Sequence, residues 1–213
     1  MNILETLRFS WESLLQPFQV NPKVAQKVFL DLVAAYSSAE RFYHTLEHIQ
    51  HILETTEQMH SVAINFPAIQ LAAWFHDVIY APRAKDNEEN SAEYAVASLI
   101  QLEIPISTVE RVKSLIINTK THQAPAADID SQILLDSDLA ILGADELKYR
   151  AYAQAIRQEY SWLSDQLYQV GRKQVLQLFL QRERIYFTNL LFIRCEERAR
   201  QNLQAELATL SSK

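Results

Sequence analysis

The chain of 213 residues is long enough to bury one sizeable core, or a core with a helical appendage. It contains only two glycines, which disfavours the tight hairpins of a sheet-rich fold and excludes glycine-rich phosphate loops. Its net charge of −6 is opposite in sign to that of most folds that coat a nucleic-acid backbone, so no nucleic-acid polymer is expected as a partner.

Helical periodicity dominates the first third of the chain. Asn21 and Pro22 have the pattern of an N-cap followed by proline at the first helical position, and an apolar stripe predicts a helix from there to about residue 36. A second helix is predicted to start near Thr45. Its inward face is predicted to carry Ile49, Ile52 and Leu53. Pro67 opens a third helix, predicted to run to about residue 79, that is apolar enough to be buried on most sides.

A polar segment separates this third helix from the next ones. Residues 80–87 are predicted to form a loop, after which Asn87 caps a further helix whose first turn carries carboxylates. Ser107 and Glu110 have the spacing of a capping box and predict the start of another helix.

The remaining sequence also indicates helices. A second loop, 119–131, leads into a helix predicted over 132–142, and Gly143 is expected to end that helix in a left-handed C-cap. Long helical patterns follow at 146–162, 165–181 and 189–209. Because strand alternation, repeats and low-complexity linkers are not apparent, the sequence predicts one all-α domain over residues 1–213.

The sequence shows no targeting or membrane signal. Its N-terminus lacks a basic start followed by an apolar stretch. The longest apolar runs, such as 71–75, are far shorter than the ~20 residues needed to span a bilayer. The single cysteine, Cys195, cannot form an internal disulfide, which suits a reducing compartment. We therefore expect a soluble, cytoplasmic protein without a membrane partner.

The adjacent pair His76 and Asp77 lies at the end of the most apolar predicted helix. Burying two ionisable groups there would carry a large desolvation cost unless they are paired with each other or bound to a metal ion. A divalent cation removes that cost for both side chains. The pair is therefore a candidate for chemistry.

Two aspartates in a later apolar helix are the next unusual feature. Asp138 shares a helix face with Leu135 and Leu142, so its carboxylate needs a cation nearby. Asp136 lies on a different face, and we interpret it as a helix cap, as a group supporting a ligand, or as a solvent-exposed side chain. Helix capping is the alternative interpretation for both residues.

The order of these residues resembles the H…HD…D signature of the HD-domain superfamily of metal-dependent phosphohydrolases. The flanking residues also resemble a bacterial branch of uncharacterised predicted HD phosphohydrolases. The segments that carry this resemblance are 42–49 (FYHTLEHI), 74–77 (WFHD), 86–92 (DNEENSA) and 135–139 (LDSDL). The resemblance implies an all-α, HD-domain-like helical bundle with its metal-binding core at about 40–143 and additional C-terminal helices at 146–209.

The resemblance implies one divalent metal ion, held by His48, His76, Asp77 and Asp138. Two imidazoles and two carboxylates form a mixed site suited to Mn²⁺, Fe²⁺, Co²⁺, Ni²⁺ or Zn²⁺, and Mg²⁺ stays a further option. His48 is preferred over His44 as the early ligand, because its position resembles that of the family and lies well inside a helix. His44 is then expected to bind substrate or to support a ligand, and Asp77 to take part in catalysis as well.

The implied activity is hydrolysis of a nucleotide or another small phosphoester by a metal-activated water. Such a substrate needs cations for its phosphate and a group for acid–base catalysis. The candidates for substrate binding are His44, Arg83, Lys85 and His122, and the candidate for acid–base catalysis is Glu88. A solvated loop is the alternative interpretation of Arg83 and Lys85.

Two other functions stay open. His44, Glu47 and His48 match the H-x-x-E-H pattern of inverted zinc peptidases, although that scheme leaves the pair His76 and Asp77 without a role. An HD domain that binds a nucleotide or a partner without turnover is the second alternative. The identity of the phosphoester and the oligomeric state, with a homo-oligomer among the options, are not specified by the sequence.

Overall fold

The structure, a computed structural model, describes residues 2–211. Within that range the regular elements are α-helices and short 3-10 segments, and no β-strand occurs. The prediction of an all-α fold is therefore confirmed. None of the helices in this part of the chain combines the length and the apolar character needed to cross a membrane. The chain separates into two compact units between Ser137 and Asp138.

The first unit contains α1 (Ile3–Leu15), α2 (Pro22–Tyr36), α3 (Leu46–Glu57), α4 (Phe66–Phe75), α5 (Asn87–Gln101), α6 (Ile106–Thr119) and α7 (Ile129–Asp138). The unit boundary falls at the end of α7, so that Asp138 is the last residue of this helix and the first of the second unit. Helix α1 was not predicted, and its start is fixed by a reciprocal capping box between Asn2 and Glu5.

Helix α4 forms the core of the first unit and contacts α1, α3, α5 and α6. Every residue from Ala68 to Phe75 except Gln70 is buried, as the apolar sequence predicts. The Trp74 ring packs edge-to-face against Trp11 at 5.5 Å and against Phe29 at 6.0 Å between ring centroids. These aromatic contacts hold α1 and α2 against α4.

The predicted starts of α2 and α3 are confirmed. The Asn21 side chain accepts a hydrogen bond from the N–H of Lys23, with Pro22 as the first helical residue. Helix α3 starts directly after Thr45. Its predicted inward residues Ile49, Ile52 and Leu53 are all buried.

The predicted extension of α4 to residue 79 is wrong. The helix ends at Phe75, with His76 at its C-cap, and the N–H of Val78 donates to the carbonyl of Phe75 at 3.1 Å. The apolar pattern continues past this point because Val78 is buried in the turn, and burial does not require helical backbone. The pair His76 and Asp77 therefore lies on a turn at the helix end.

The predicted caps of α5 and α6 are also wrong. Asp86, not Asn87, occupies the N-cap of α5, while the Asn87 amide closes the preceding loop by bonding both the N–H and the carbonyl of Ala81. Helix α6 begins at Ile106, directly after Pro105, and no side chain caps it. The helix therefore begins two residues earlier than the capping-box spacing suggested, directly after a proline whose φ is fixed by its ring.

Helix α7 is anchored at its first turn. The Asp130 carboxylate accepts from the N–H of Ile64 at 2.8 Å and from that of Asn65 at 3.1 Å, just before α4 begins. Arg111 of α6 donates two hydrogen bonds to Asp128, the residue before α7. The starts of α4 and α7 therefore lie side by side.

The prediction of one helix over 132–142 ending in a left-handed glycine is wrong in two respects. The α-helix runs from Ile129 to Asp138, and a 3-10 segment, Leu139–Gly143, follows it. Gly143 has no positive φ. A Cβ at Gly143 would lie 2.6 Å from Cβ of Cys195 and 2.9 Å from its carbonyl oxygen, so the glycine is required by close approach of another helix.

The second unit combines that 3-10 segment with α8 (Glu146–Glu159), α9 (Asp165–Leu180) and α10 (Asn189–Ser211), close to the predicted ranges. Arg172 of α9 and Glu206 of α10 form a nearly buried bidentate ion pair, with N···O distances of 2.8 and 3.0 Å. Tyr149 of α8 donates a 2.5 Å hydrogen bond to the same carboxylate. Burial, reinforced by that carboxylate, raises the pKa of Tyr149 well above its usual value. This pairing joins the three helices within the unit.

Candidate metal centre

Two buried histidines form the base of the candidate site. His48 lies in the first turn of α3 and His76 at the C-cap of α4, and the side chain of each is 1% exposed. Their ring centroids are 5.4 Å apart. A neutral imidazole offers a nitrogen lone pair to a cation, so the two rings are suitable metal ligands.

The His76 ring is oriented by the backbone of its own helix. Its Nδ1 lies 3.0 Å from the carbonyl oxygen of Ala73, a contact in which Nδ1–H donates. That tautomer leaves the Nε2 lone pair to face the cluster. Metal-binding histidines commonly use their other ring N–H in this way, which fixes the ring and raises its basicity.

Asp138 completes a compact group of ligand atoms. It ends α7, a helix whose other residues belong to the first unit. One ligand atom each from His48, His76 and Asp138 lies within 4.8 Å of the other two. Among residues 2–211 this is the group of three or more His, Cys, Asp or Glu side chains with the spacing of a metal site.

Asp77 lies beside the two histidines. Its Oδ2 is 3.0 Å from Nε2 of His76 and 3.9 Å from Nε2 of His48. The same oxygen is 3.8 Å from Nε2 of His44. Asp77 is not in the compact group of three, but its carboxylate contacts three histidine rings.

The donor set fits a divalent ion. Two donors bound at about 2.1 Å lie roughly 3.0 Å apart when they are neighbours and about 4.2 Å apart when they are opposite. The separations of 3.0 Å and 3.9 Å from Asp77 to His76 and His48 fall within that range. Imidazole nitrogens with carboxylate oxygens suit first-row transition ions.

His44 lies at the exposed edge of the cluster. It precedes α3, so it does not share a helix face with His48, although both rings approach Asp77. Its ring packs against that of Tyr80, with the centroids 4.3 Å apart and the planes tilted by 34°. The side chains of His44 and Asp77 are 18% and 16% exposed, whereas those of the two buried histidines are 1% exposed. Solvent therefore reaches the cluster from the side of His44 and Asp77.

Asp136 is fully buried, so its interpretation as a solvent-exposed side chain is wrong. The sequence placed it on the opposite side of α7 from Asp138, and that side turned out to face the core. Asp138 is itself only partly buried. Periodicity could not distinguish these cases, because apolar residues surround both aspartates on a helix buried on several faces.

The two loops that carry the predicted substrate-binding residues contact each other. Lys120, in the second loop, donates to the carbonyl of Lys85 at 2.9 Å and pairs with the Glu89 carboxylate. Glu88, in the first turn of α5, contributes to the electrostatic environment of Lys120. These contacts join the loop after α4 to the loop after α6. Glu88 is outside the compact group of ligand atoms among residues 2–211.

The other three predicted substrate-binding residues, Arg83, Lys85 and His122, lie in the same loops. Arg83 and Lys85 are both exposed, and His122 is partly buried with a left-handed backbone at φ 48°. The N–H of His122 donates to the carbonyl of Asn118. Their predicted contact with a substrate stays a prediction.

Sequence reasoning missed Arg41 and Tyr80. Arg41 is 9% exposed and donates to three backbone carbonyls around the cluster, and Tyr80 covers His44. The only signal in the sequence was their position beside the histidine and His-Asp motifs.

The H-x-x-E-H arrangement receives no geometric support. Glu47 is exposed and accepts a hydrogen bond from the Thr45 hydroxyl at 3.0 Å. His44 lies before the helix that carries Glu47 and His48, whereas the peptidase pattern requires all three on one helix.

Comparisons with protein-family models, with curated proteins and with solved structures found no match to this chain.

Proposed function

We propose that the protein is a metal-dependent phosphohydrolase of the HD-domain type that acts on a small phosphoester, with a nucleotide as the favoured class. The observation that carries the proposal is the convergence of His48, His76 and Asp138 within 4.8 Å, beside the carboxylate of Asp77. These four residues, from three separate helices or helix ends, are the ones that the HD resemblance implies as ligands.

A divalent ion supplies Lewis-acid chemistry when bound, lowering the pKa of water and polarising a phosphoryl oxygen. His48 and His76 would hold it with neutral nitrogen donors, and Asp77 and Asp138 with carboxylate oxygens. Two carboxylates formally balance the charge of a divalent ion. The buried base of the site excludes water from one side.

Substrate would enter from the exposed edge formed by His44 and Asp77. There the His44 ring, steadied by Tyr80, is positioned to donate a hydrogen bond or a proton to an oxygen of the substrate. The loop that begins at Tyr80 carries Arg83 and Lys85, whose charges complement a phosphate. A phosphorylated small molecule is the substrate class that this combination of groups serves best.

An activity screen tests the proposal. Metal-stripped protein would be supplemented with Mn²⁺, Co²⁺ or Zn²⁺ and assayed against nucleoside mono-, di- and triphosphates, cyclic nucleotides, sugar phosphates and a peptide panel. The matched variants are Asp138→Asn and Asp145→Asn. Asp145 caps α8 with an exposed carboxylate, and asparagine retains that cap.

We expect metal-dependent hydrolysis of at least one of these phosphoesters, at a rate that falls by at least about a hundredfold in Asp138→Asn and is unchanged in Asp145→Asn. Metal binding without turnover of any phosphoester would favour the non-catalytic binding domain. Cleavage of the peptides instead would support the peptidase. Turnover that is indifferent to metal and to Asp138→Asn would contradict the proposed site.

A further inference from the structure

Arg41 is a buried cation at the junction of the two segments that carry the candidate ligands. It is 9% exposed. Its Nη1 donates to the carbonyl oxygen of Asp77 at 2.7 Å and to that of His44 at 3.2 Å, and its Nη2 donates to the carbonyl oxygen of Val78 at 2.8 Å. One guanidinium thus contacts the chain before α3 and the chain after α4.

The carbonyls that Arg41 binds belong to backbone outside the helices. Helix α4 ends at Phe75, so the carbonyls of Asp77 and Val78 are not part of its hydrogen-bond ladder. Buried carbonyls need donors, and a cation beyond a helix C-terminus is also favoured by the helix dipole. The two Nη atoms of Arg41 bind the consecutive carbonyls of Asp77 and Val78. This fixes the direction of the backbone at Asp77, just after the end of α4.

Two aromatic rings hold the guanidinium in place. Cζ of Arg41 lies 4.8 Å from the ring centroid of Tyr36 and 5.4 Å from that of Tyr80. The Tyr36 hydroxyl donates to the carbonyl of Trp74 at 3.0 Å, which ties this assembly to α4. Tyr80 in turn packs against the ring of His44. A planar guanidinium can pack against aromatic rings and donate to two carbonyls at the same time. The compact ammonium group of lysine lacks that planar geometry.

Burying this charge is unfavourable if its role is only to stabilise the fold. Desolvating a cation costs free energy that well-packed apolar side chains of similar volume avoid. The contacts of Arg41 are concentrated on the backbone of His44 and Asp77, whose side chains lie 3.8 Å apart in the cluster. Its geometry therefore serves placement of those two residues.

We propose that Arg41 is a positioning residue of the metal centre: it sets the backbone of His44 and Asp77 so that their side chains meet the buried histidines. The inference rests on the proposed metal site and adds a residue that touches neither ion nor substrate. Replacing Arg41 should weaken metal binding while leaving every proposed ligand in the chain.

The test is a calorimetric titration of the metal-stripped chain with Co²⁺, combined with the visible absorption of the bound ion, which reports its ligand geometry. Wild type is compared with Arg41→Lys and with Arg41→Gln, whose amide can still donate to one carbonyl. The matched control is Arg200→Lys. Arg200 likewise donates to three backbone carbonyls, those of Leu180, Arg182 and Glu183, but in the second unit.

We expect Arg41→Lys to bind Co²⁺ at least tenfold more weakly than wild type, with an altered spectrum, while Arg200→Lys retains the wild-type affinity and spectrum. Wild-type affinity and spectrum in both folded Arg41 variants would overturn the role of Arg41 and leave the metal site intact. If neither Arg41 variant folds, as judged by circular dichroism, the residue serves stability and the proposal is also overturned. Absence of Co²⁺ binding by wild type would overturn the metal site itself and Arg41 with it.

Discussion

His44 and His48 are four residues apart but occupy different environments, because the chain enters α3 between them. The His48 side chain is 1% exposed, at the base of the cluster, and that of His44 is 18% exposed, at its edge. Both lie within 4 Å of the Asp77 carboxylate. The buried histidine is the better candidate for a ligand, and the exposed one for contact with substrate.

Alanine substitutions should separate these two roles. His48→Ala removes a nitrogen donor from the buried base, so we expect loss of metal and activity together. It should also unfold at a lower temperature in the presence of metal, because ligand binding no longer stabilises the folded state. His44→Ala should keep its metal and its melting temperature but lose turnover. Elemental analysis, thermal unfolding and phosphate release on the same preparations check this expectation.

Each of these variants serves as the control for the other, since both remove an imidazole and the two positions are only four residues apart. The opposite result, with metal lost in His44→Ala and retained in His48→Ala, would reverse the assignment. Loss of metal in both would extend the ligand set to His44.

The placement of Asp138 depends on how α7 is anchored against α4. Both helices contain ten residues, so each is about 15 Å long. Their first turns are tied by Asp130, whose carboxylate binds the N–H groups of Ile64 and Asn65. Two helices of equal length whose first turns are tied bring their last residues together when they run in the same direction, in agreement with the closeness of His76 and Asp138. This is why Asp138, at the last position of α7, meets His76 at the end of α4.

The anchor should give the protein an acid-sensitive component of stability. Hydrogen bonds from Arg111 lower the pKa of Asp128 from 3.8 to about 2. A carboxyl whose pKa is depressed on folding stabilises the fold above its unfolded pKa, and that contribution is lost as the pH falls from about 4 to about 2. Because the pair is partly exposed, we expect about 1 kcal/mol. Asp128→Asn should be less stable than wild type by that amount at pH 7, and most of the difference should be lost by about pH 2.

Urea unfolding between pH 2 and pH 7 provides the measurement. Asp31→Asn is the control, because Asp31 forms an exposed i,i+4 pair with Lys27 and should change stability by less than about 0.5 kcal/mol. A gap between Asp128→Asn and wild type that stays constant across this pH range would show that the charge of Asp128 contributes nothing.

Local signals in the sequence predicted the starts of α2 and α3 but misplaced the caps of α5 and α6. Asn21 and Pro22 identified the start of α2, and the apolar stripe after Thr45 identified the buried face of α3. Periodicity reports burial rather than backbone conformation, so it carried the predicted end of α4 past Phe75. The same limitation left the exposure of Asp136 undecided.

Features that depend on distant parts of the chain could not be predicted. Gly143 is explained by its closeness to Cys195, which lies 52 residues later, and not by a local turn. Arg41 gains its partners from a turn more than 30 residues away. The four candidate ligands could be named because the H…HD…D order is itself a sequence pattern, whereas the residues that orient them follow no pattern.

The net charge of the chain affects how a phosphorylated substrate would reach the site. Acidic residues outnumber basic ones by 26 to 20, so the average field of the protein repels anions. Local cations must overcome that repulsion, and the proposed ion with the side chains of Arg83 and Lys85 would provide them. The proposed metal ion is therefore needed to attract the phosphorylated substrate as well as to activate the water.

The metal content of the reconstituted protein is the most direct test of the proposed site. The metal-stripped chain would be incubated with Mn²⁺, Co²⁺ and Zn²⁺, passed through a desalting column and subjected to elemental analysis, together with His76→Gln, which keeps the size of the side chain but loses the imidazole. We predict about one ion per chain for wild type and less than about a tenth of that for the variant. Wild type without bound metal, or His76→Gln with the wild-type content, would contradict the account.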